Sequence, residues 1–240
     1  MKRLVKLQLR NLFSLKSFYI CSGLMLLTPI ITLLFTVLMK KPYDLKFIPE
    51  VSNLLSSTEI IVTVVIVLFA CLDSSDGTLK NIISRGYTKK QYLLSKYIVA
   101  LITTVIMYLI PIVFTFILTI GNGLGFESKY VYYIFAYLLQ IGATICLYVV
   151  LSYIFEKIGP SMVACLIGPS MVGTALPLLQ LLLKTKKINI ANFWITNIAG
   201  SAIVKHPDIV DLLVVVVLAA VYIIGLLLLG IYIGKKKEVK

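Results

Sequence analysis

Six stretches of the chain are almost free of charge and continuously apolar: Phe18 to Met39, about Leu54 to Leu72, Tyr97 to Ile120, Val131 to Phe155, Ser161 to Leu183 and Leu212 to Gly234. Each is near the roughly 20 residues that a helix needs to cross a hydrocarbon layer about 30 Å thick, so the pattern predicts six membrane spans. The first run is longer than the ~7 to 15 residues of a signal-peptide core and lacks a clear small-residue cleavage site, so it reads as a retained span. The second is the weakest, because Glu59 lies in its outer third. A charge at mid-bilayer costs about 2.5–3.5 kcal/mol, so either the apolar stretch begins at Ile60 and tilts, or Glu59 faces protein or water. The fifth repeats GPSMV at Gly159–Val163 and Gly168–Val172, and holds Pro169 and Pro177 in its interior, where they are expected to kink or break the helix. It reads either as a flexible helix beside a pathway or as close packing of Gly168, Ser170, Gly173 and Ala175 against a neighbour.

Residues 1–17 form a separate element ahead of the membrane domain, residues 18–240. On a helical wheel Lys2, Arg3, Lys6 and Arg10 share one arc of about 100 degrees, while Leu4, Val5, Leu7, Leu9, Leu12 and Leu15 cover the rest, with Phe13 the misfit. The pattern predicts an amphipathic helix in the membrane interface, its basic residues on lipid headgroups. A plain topogenic flank is the other reading.

The connection between the second and third runs, Asp73 to Lys96, is DSSDGTLKNIISRGYTKKQYLLSK. Thr78 can cap a short helix over Leu79 to Arg85, Gly86 can end it in the left-handed region, and Thr88 can cap a helix that enters the third run. Lys80, Asn81, Ser84 and Arg85 would face outward, with Leu79, Ile82 and Ile83 packing inward or filling a partner's cleft. Composition alone leaves this rigid handle and a solvated basic loop equally open.

At 60% hydrophobic and 14% charged residues, with a mean hydropathy of +1.00, the 240-residue chain is far from the soluble norm of about 45–50% and about 25%, which places it in a bilayer. The net charge of +13 could suggest nucleic acid, but the basic residues flank apolar runs, so they read as orientation signals and lipid contacts. Fifteen lie on the side of the termini and eight on the other, which predicts cytoplasmic termini, although the Lys184, Lys186 and Lys187 cluster opposes that count. Cys21, Cys71, Cys146 and Cys165 sit in or beside apolar runs without CxxC spacing and read as small buried hydrophobes. No nucleotide, metal or hydrolase motif is found. Gly225 to Gly230 has P-loop glycine spacing but continues Ile231-Tyr232, so it reads as helix packing. The single histidine, His206, reads as a surface residue, and Tyr130, Tyr132 and Tyr133 as an interfacial belt.

An acidic residue at the end of span two (Asp73 or Asp76), Gly77-Thr78, a short helix, Arg85-Gly86 and a basic-aromatic entry ending in Ser95-Lys96 together resemble type-two ABC permeases, the membrane subunits of ATP-driven exporters. The layout of elbow helix, six spans and a short fourth connection is similar as well. The resemblance implies an all-α integral membrane fold in which residues Gly77, Thr78, Leu79, Lys80, Asn81, Ile82, Ile83, Ser84, Arg85 and Gly86 form a cytoplasmic coupling helix on the ATPase. It implies a second, smaller ATPase contact at Glu156, Lys157, Gly159 and Pro160. It further implies two permease copies, identical or related, on two cytoplasmic ATPase subunits that hold the ATP and Mg, with no cofactor, metal or catalytic residue in this chain and no nucleic-acid partner. Alternating access would then move the cargo. Uncharged, aromatic-rich spans favour an amphipathic or hydrophobic cargo, a membrane-active peptide before a drug or lipid. A secondary carrier and a non-transporting scaffold or sensor are the rival readings. The sparse intramembrane charge speaks against the carrier.

Overall fold

The computed structural model describes residues 1–39, 47–75, 77–121, 129–182, 190–199 and 209–236. Among these the chain is helical and has no strand. Its helices are α1 (Lys2–Ser14), α2 (Lys16–Met39), α3 (Phe47–Ser75), α4 (Thr78–Ser84), α5 (Lys89–Gly121), α6 (Lys129–Phe155), α7 (Ile158–Leu182) and α8 (Ile209–Lys236), with a 3-10 turn at Ile190–Phe193. Apolar runs become helices because a backbone in hydrocarbon must satisfy its own polar groups. Thr63, Thr103, Thr104 and Thr144 follow the same rule and donate their hydroxyls to the carbonyl four residues back.

Four helices among the described residues are long and apolar enough to cross a membrane, and a fifth counts if Thr58–Ser74 and α4, bent by 63° from each other, are taken as one. The apolar runs predict six, and α2 coincides with the first of them. α6 is the central helix, packed on α3, α5, α7 and α8. One end of the bundle gathers α1, α4, the start of α5, the α6–α7 turn and the end of α8: Lys89 Nζ donates to Gly234 O at 2.9 Å, and the Tyr92 and Tyr153 rings lie 6.2 Å apart. Gly230, the second glycine of the P-loop-like spacing, is a packing residue here. A Cβ on it would stand 2.8 Å from Leu93 Cδ2 and 3.3 Å from Val150 Cγ2, whereas Gly225 has open space. Gly230→Val is therefore expected to lower stability by about 1–3 kcal/mol in a detergent melt, while Gly225→Val stays near wild type.

Several expectations change in the folded chain. Pro169 and Pro177 do not break α7, which is one helix from Ile158 to Leu182. It packs through Ser161, Cys165 and Pro169, while Ser170 and Ala175 are exposed. Of the small residues only Gly173 meets a large neighbour, Trp194 Cδ1, which a Cβ would approach to 3.6 Å. Glu59 faces protein and accepts a hydrogen bond from Tyr148 Oη on α6 at 2.9 Å. All four cysteines are free and buried. Lys184, Lys186, Lys187 and His206 lie outside the described residues.

The segment before α8, expected as an outer connection, dips into the bundle over residues 190–199. Ile195 packs with Ala143 of α6 and Ala219 of α8. Ala143 stands 14 residues from the start of α6, about 20 Å along its axis. Non-helical backbone at that depth needs partners, and side chains supply them. Gln140 donates to Thr196 O at 2.6 Å and accepts from Ala199 N at 2.7 Å; Tyr222 Oη donates to Phe193 O at 2.8 Å, and Trp194 Nε1 to Pro169 O at 3.0 Å.

Candidate functional site

The short helix α4 is framed by two glycines in left-handed conformation, Gly77 at φ +68° and Gly86 at φ +87°. These are the only described glycines with positive φ, which explains why glycine stands at both turns. Thr78 does not cap the helix as its spacing suggests. It is the first helical residue, and its hydroxyl goes to Asp73, 3.1 Å from Oδ1 and 3.3 Å from the carbonyl oxygen. The following helix does start as expected: Thr88 and Gln91 exchange backbone and side-chain bonds at 3.0 and 3.2 Å, a capping box that extends α5 eight residues ahead of the apolar run.

Ile82 is buried, Leu79 and Ile83 are half-buried, and Lys80, Asn81, Ser84 and Arg85 are exposed. The helix thus sits on its apolar side and presents a polar, basic face.

Beneath it lies an ion pair. Lys96 Nζ stands 3.1 Å from Asp73 Oδ2, and each residue is 1% exposed. Isolated charges so deeply buried would be prohibitively costly, and the surroundings offset that cost with further bonds. Lys96 also donates to Phe69 O at 2.7 Å and lies 4.0 Å from the centre of the Phe69 ring. Asp73 accepts from Gln8 Nε2 at 2.7 Å and from Asn11 Nδ2 at 3.4 Å. One carboxylate therefore joins α1, α3, α4 and α5. Of the two acidic candidates in the sequence Asp73 occupies this node, while Asp76 lies outside the described residues.

Sequence reading named Lys96 only as the end of the basic-aromatic entry and missed its pairing with Asp73, and it missed Gln8 altogether. Lys96 counts as a topogenic charge until its burial is known, and it drops out of the surface charge on that side. Gln8 falls within the apolar arc of α1, a polar intruder between Leu4 and Leu12. That arc does not simply enter lipid: Leu4, Gln8 and Leu12 form a buried stripe packed on the bundle, chiefly α5. Lys2, Arg3, Lys6 and Arg10 point away from it and are exposed, as are Leu7 and Phe13. The element ends at Leu15, which is extended, so α1 and α2 are separate helices.

The second candidate contact is a tight turn at the same end. Glu156 takes φ +59°, rare for a residue with a side chain, and α7 begins two residues later. Lys157, Gly159 and Pro160 are exposed and Glu156 is half-buried. Pro160 lies in the first turn of α7, where its missing N–H costs nothing. A 3.3 Å contact from Cys71 Sγ to Ser161 Oγ ties this turn to the end of α3, close to Asp73.

In comparison with known proteins, the family model described as ABC-2 family transporter protein matches residues 12–173. The match takes in Asp73, α4, Lys96 and the turn at Glu156. No curated protein and no solved structure matches.

Proposed function

The chain belongs to the ABC-2 family of transporter proteins, and from that premise we propose that it is the permease subunit of an ATP-driven exporter. It would have six spans, with α2 and α3 as the first two and both termini cytoplasmic. The observation that carries the reading is α4: a short helix, fixed by two glycine turns, with its polar face exposed and its base joined through Asp73 to three other helices. Such an element transmits force, because displacing α4 displaces Asp73, and Asp73 holds Lys96 on α5. ATP binding in a partner ATPase would press on Lys80, Asn81, Ser84 and Arg85, with the Glu156–Pro160 turn as the smaller contact. Two permease copies would form the pathway, and α1 would rest its basic face on anionic lipid. A membrane-active amphipathic peptide is the proposed cargo, reaching the permease from the leaflet where it first partitions.

Two measurements test this reading. In a chain freed of its four cysteines, Lys90→Cys and Lys157→Cys are expected to react with an impermeant thiol reagent only after cells are opened. Labelling of Lys90→Cys in intact cells would overturn the orientation. Permease and ATPase reconstituted in lipid are expected to hydrolyse ATP faster with an amphipathic helical peptide. Stimulation by a small hydrophobic drug or a lipid, with none by peptides, would reassign the cargo.

A further inference from the structure

Glu59 lies on α3 14 residues, about 21 Å, from Asp73. Two cavities flank it. One, of about 110 Å³, lies between α3, α5 and α6 and is lined by Tyr108, Tyr137, Gln140 and Tyr148; the other, of about 250 Å³, lies towards α7. Glu59, Tyr148 and Thr196 belong to both, so the Glu59–Tyr148 hydrogen bond stands between them.

Among the described residues Glu59 makes no ion pair, and only its Oε1 takes a side-chain hydrogen bond. Asp73, in contrast, is neutralised by Lys96 on the same helix bundle. A carboxylate at membrane depth calls for a partner, and both cavities have room for one, since a single water needs only about 10–15 Å³ of such space. The walls select its chemistry. Tyr108, Tyr137 and Tyr148 line the smaller cavity, where aromatic rings can pack on a cation, and hydroxyls of Tyr and Thr can accept from N–H groups. No cluster of three His, Cys, Asp or Glu that could hold a metal ion occurs among the described residues.

We infer that the paired cavities at Glu59 form a binding site for a primary ammonium group. The carboxylate takes the charge, the tyrosines pack on the attached methylene groups, and Thr196 brings the site under the control of the inserted segment 190–199. This deepens the reading of the cargo as an amphipathic peptide, since a lysine side chain or a free N-terminus carries that group. An aminophospholipid headgroup carries it too.

The chain's single tryptophan, Trp194, is a built-in reporter, two residues from Thr196 and hydrogen-bonded to Pro169 on the wall of the larger cavity. Purified full-length chain in nanodiscs of phosphatidylcholine and phosphatidylglycerol is titrated with n-butylammonium, with n-butanol as the neutral counterpart. A saturable change in Trp194 emission is expected for the amine alone, and Glu59→Gln is expected to weaken it about tenfold or more. Should Glu59→Gln not yield a monodisperse protein, Ser170→Lys keeps Glu59, sits at an exposed position on the cavity wall, and offers a tethered ammonium that should block the response. Repeating the titration with a lysine-bearing amphipathic peptide, and in nanodiscs containing phosphatidylethanolamine, distinguishes cargo from headgroup as the natural source. No saturable response to the amine, an equal response to butanol, or a response untouched in both variants would overturn the site. The measurement contains no ATPase, so its failure leaves the exporter reading standing, and failure of peptide-stimulated hydrolysis leaves the ammonium site standing.

Discussion

Asp73→Ala is expected to destabilise the purified chain by about 3–5 kcal/mol, seen as a lower melting temperature in detergent and poor recovery from the membrane. The magnitude follows from what remains after the carboxylate is gone. Lys96, 1% exposed, would be left beside the Phe69 carbonyl and ring with no anion, while Gln8 would lose its acceptor and Thr78 one of its two. Lys96→Met should cost a comparable amount for the mirrored reason. The double variant Asp73→Leu with Lys96→Met removes both charges, and buried pairs replaced by apolar residues of similar volume are often no less stable. It is therefore expected to recover most of that loss, short of wild type because the buried Gln8 still lacks its acceptor, and yet to transport poorly, because the Asp73 bonds from α1 and α5 to the end of α3 are gone. A double variant that is stable and fully active would reduce the node to a packing device.

The second large effect is expected at the surface. Lys80→Glu with Arg85→Glu should lower cargo-stimulated ATP hydrolysis by about tenfold or more while leaving expression and melting temperature unchanged. Both residues are exposed, so little folding energy depends on them, whereas reversed charges against a complementary partner cost several kcal/mol. Gly86→Val provides an independent approach. Its φ of +87° excludes a β-branched side chain, so the turn must rearrange and α4 should shift. Hydrolysis uncoupled from cargo, in a complex that still assembles, is the expected phenotype.

What could be read from the chain follows physical logic. The frame of α4 was legible because left-handed turns demand glycine, and Gly77 and Gly86 stand where the turns fall. Which of its residues face out was legible from the alternation of Leu79, Ile82 and Ile83 with polar neighbours. The function of Lys96 was not, because a lysine at a span end looks the same whether it meets headgroups or a buried aspartate 23 positions earlier. The wheel of α1 located the basic arc but could not tell lipid from protein on the opposite side; Gln8 was the one hint. Gln140, a lone amide in the fourth apolar run, signals a buried polar bond, but its partners at Thr196 and Ala199 lie more than 50 residues away in a segment without periodicity. Proline content foretold a kink or break in α7, and the helix runs through both prolines without a break. For Glu59 the sequence left open a span beginning at Ile60 or a carboxylate facing protein or water, and the bond from Tyr148 puts it against protein; its cavities were not legible, because their lining comes from α3, α5, α6, α7 and the segment at Thr196.

The coupling role of α4 is tested most directly by photo-crosslinking from single positions in living cells. A photoreactive residue at Lys80, Asn81 or Arg85 is expected to capture one ATPase chain carrying a nucleotide-binding motif, a residue at Lys157 to capture the same chain more weakly, and a residue at Asn192 to capture none. Capture of no ATPase from any position on α4, or of the same chain equally from Asn192, would contradict it.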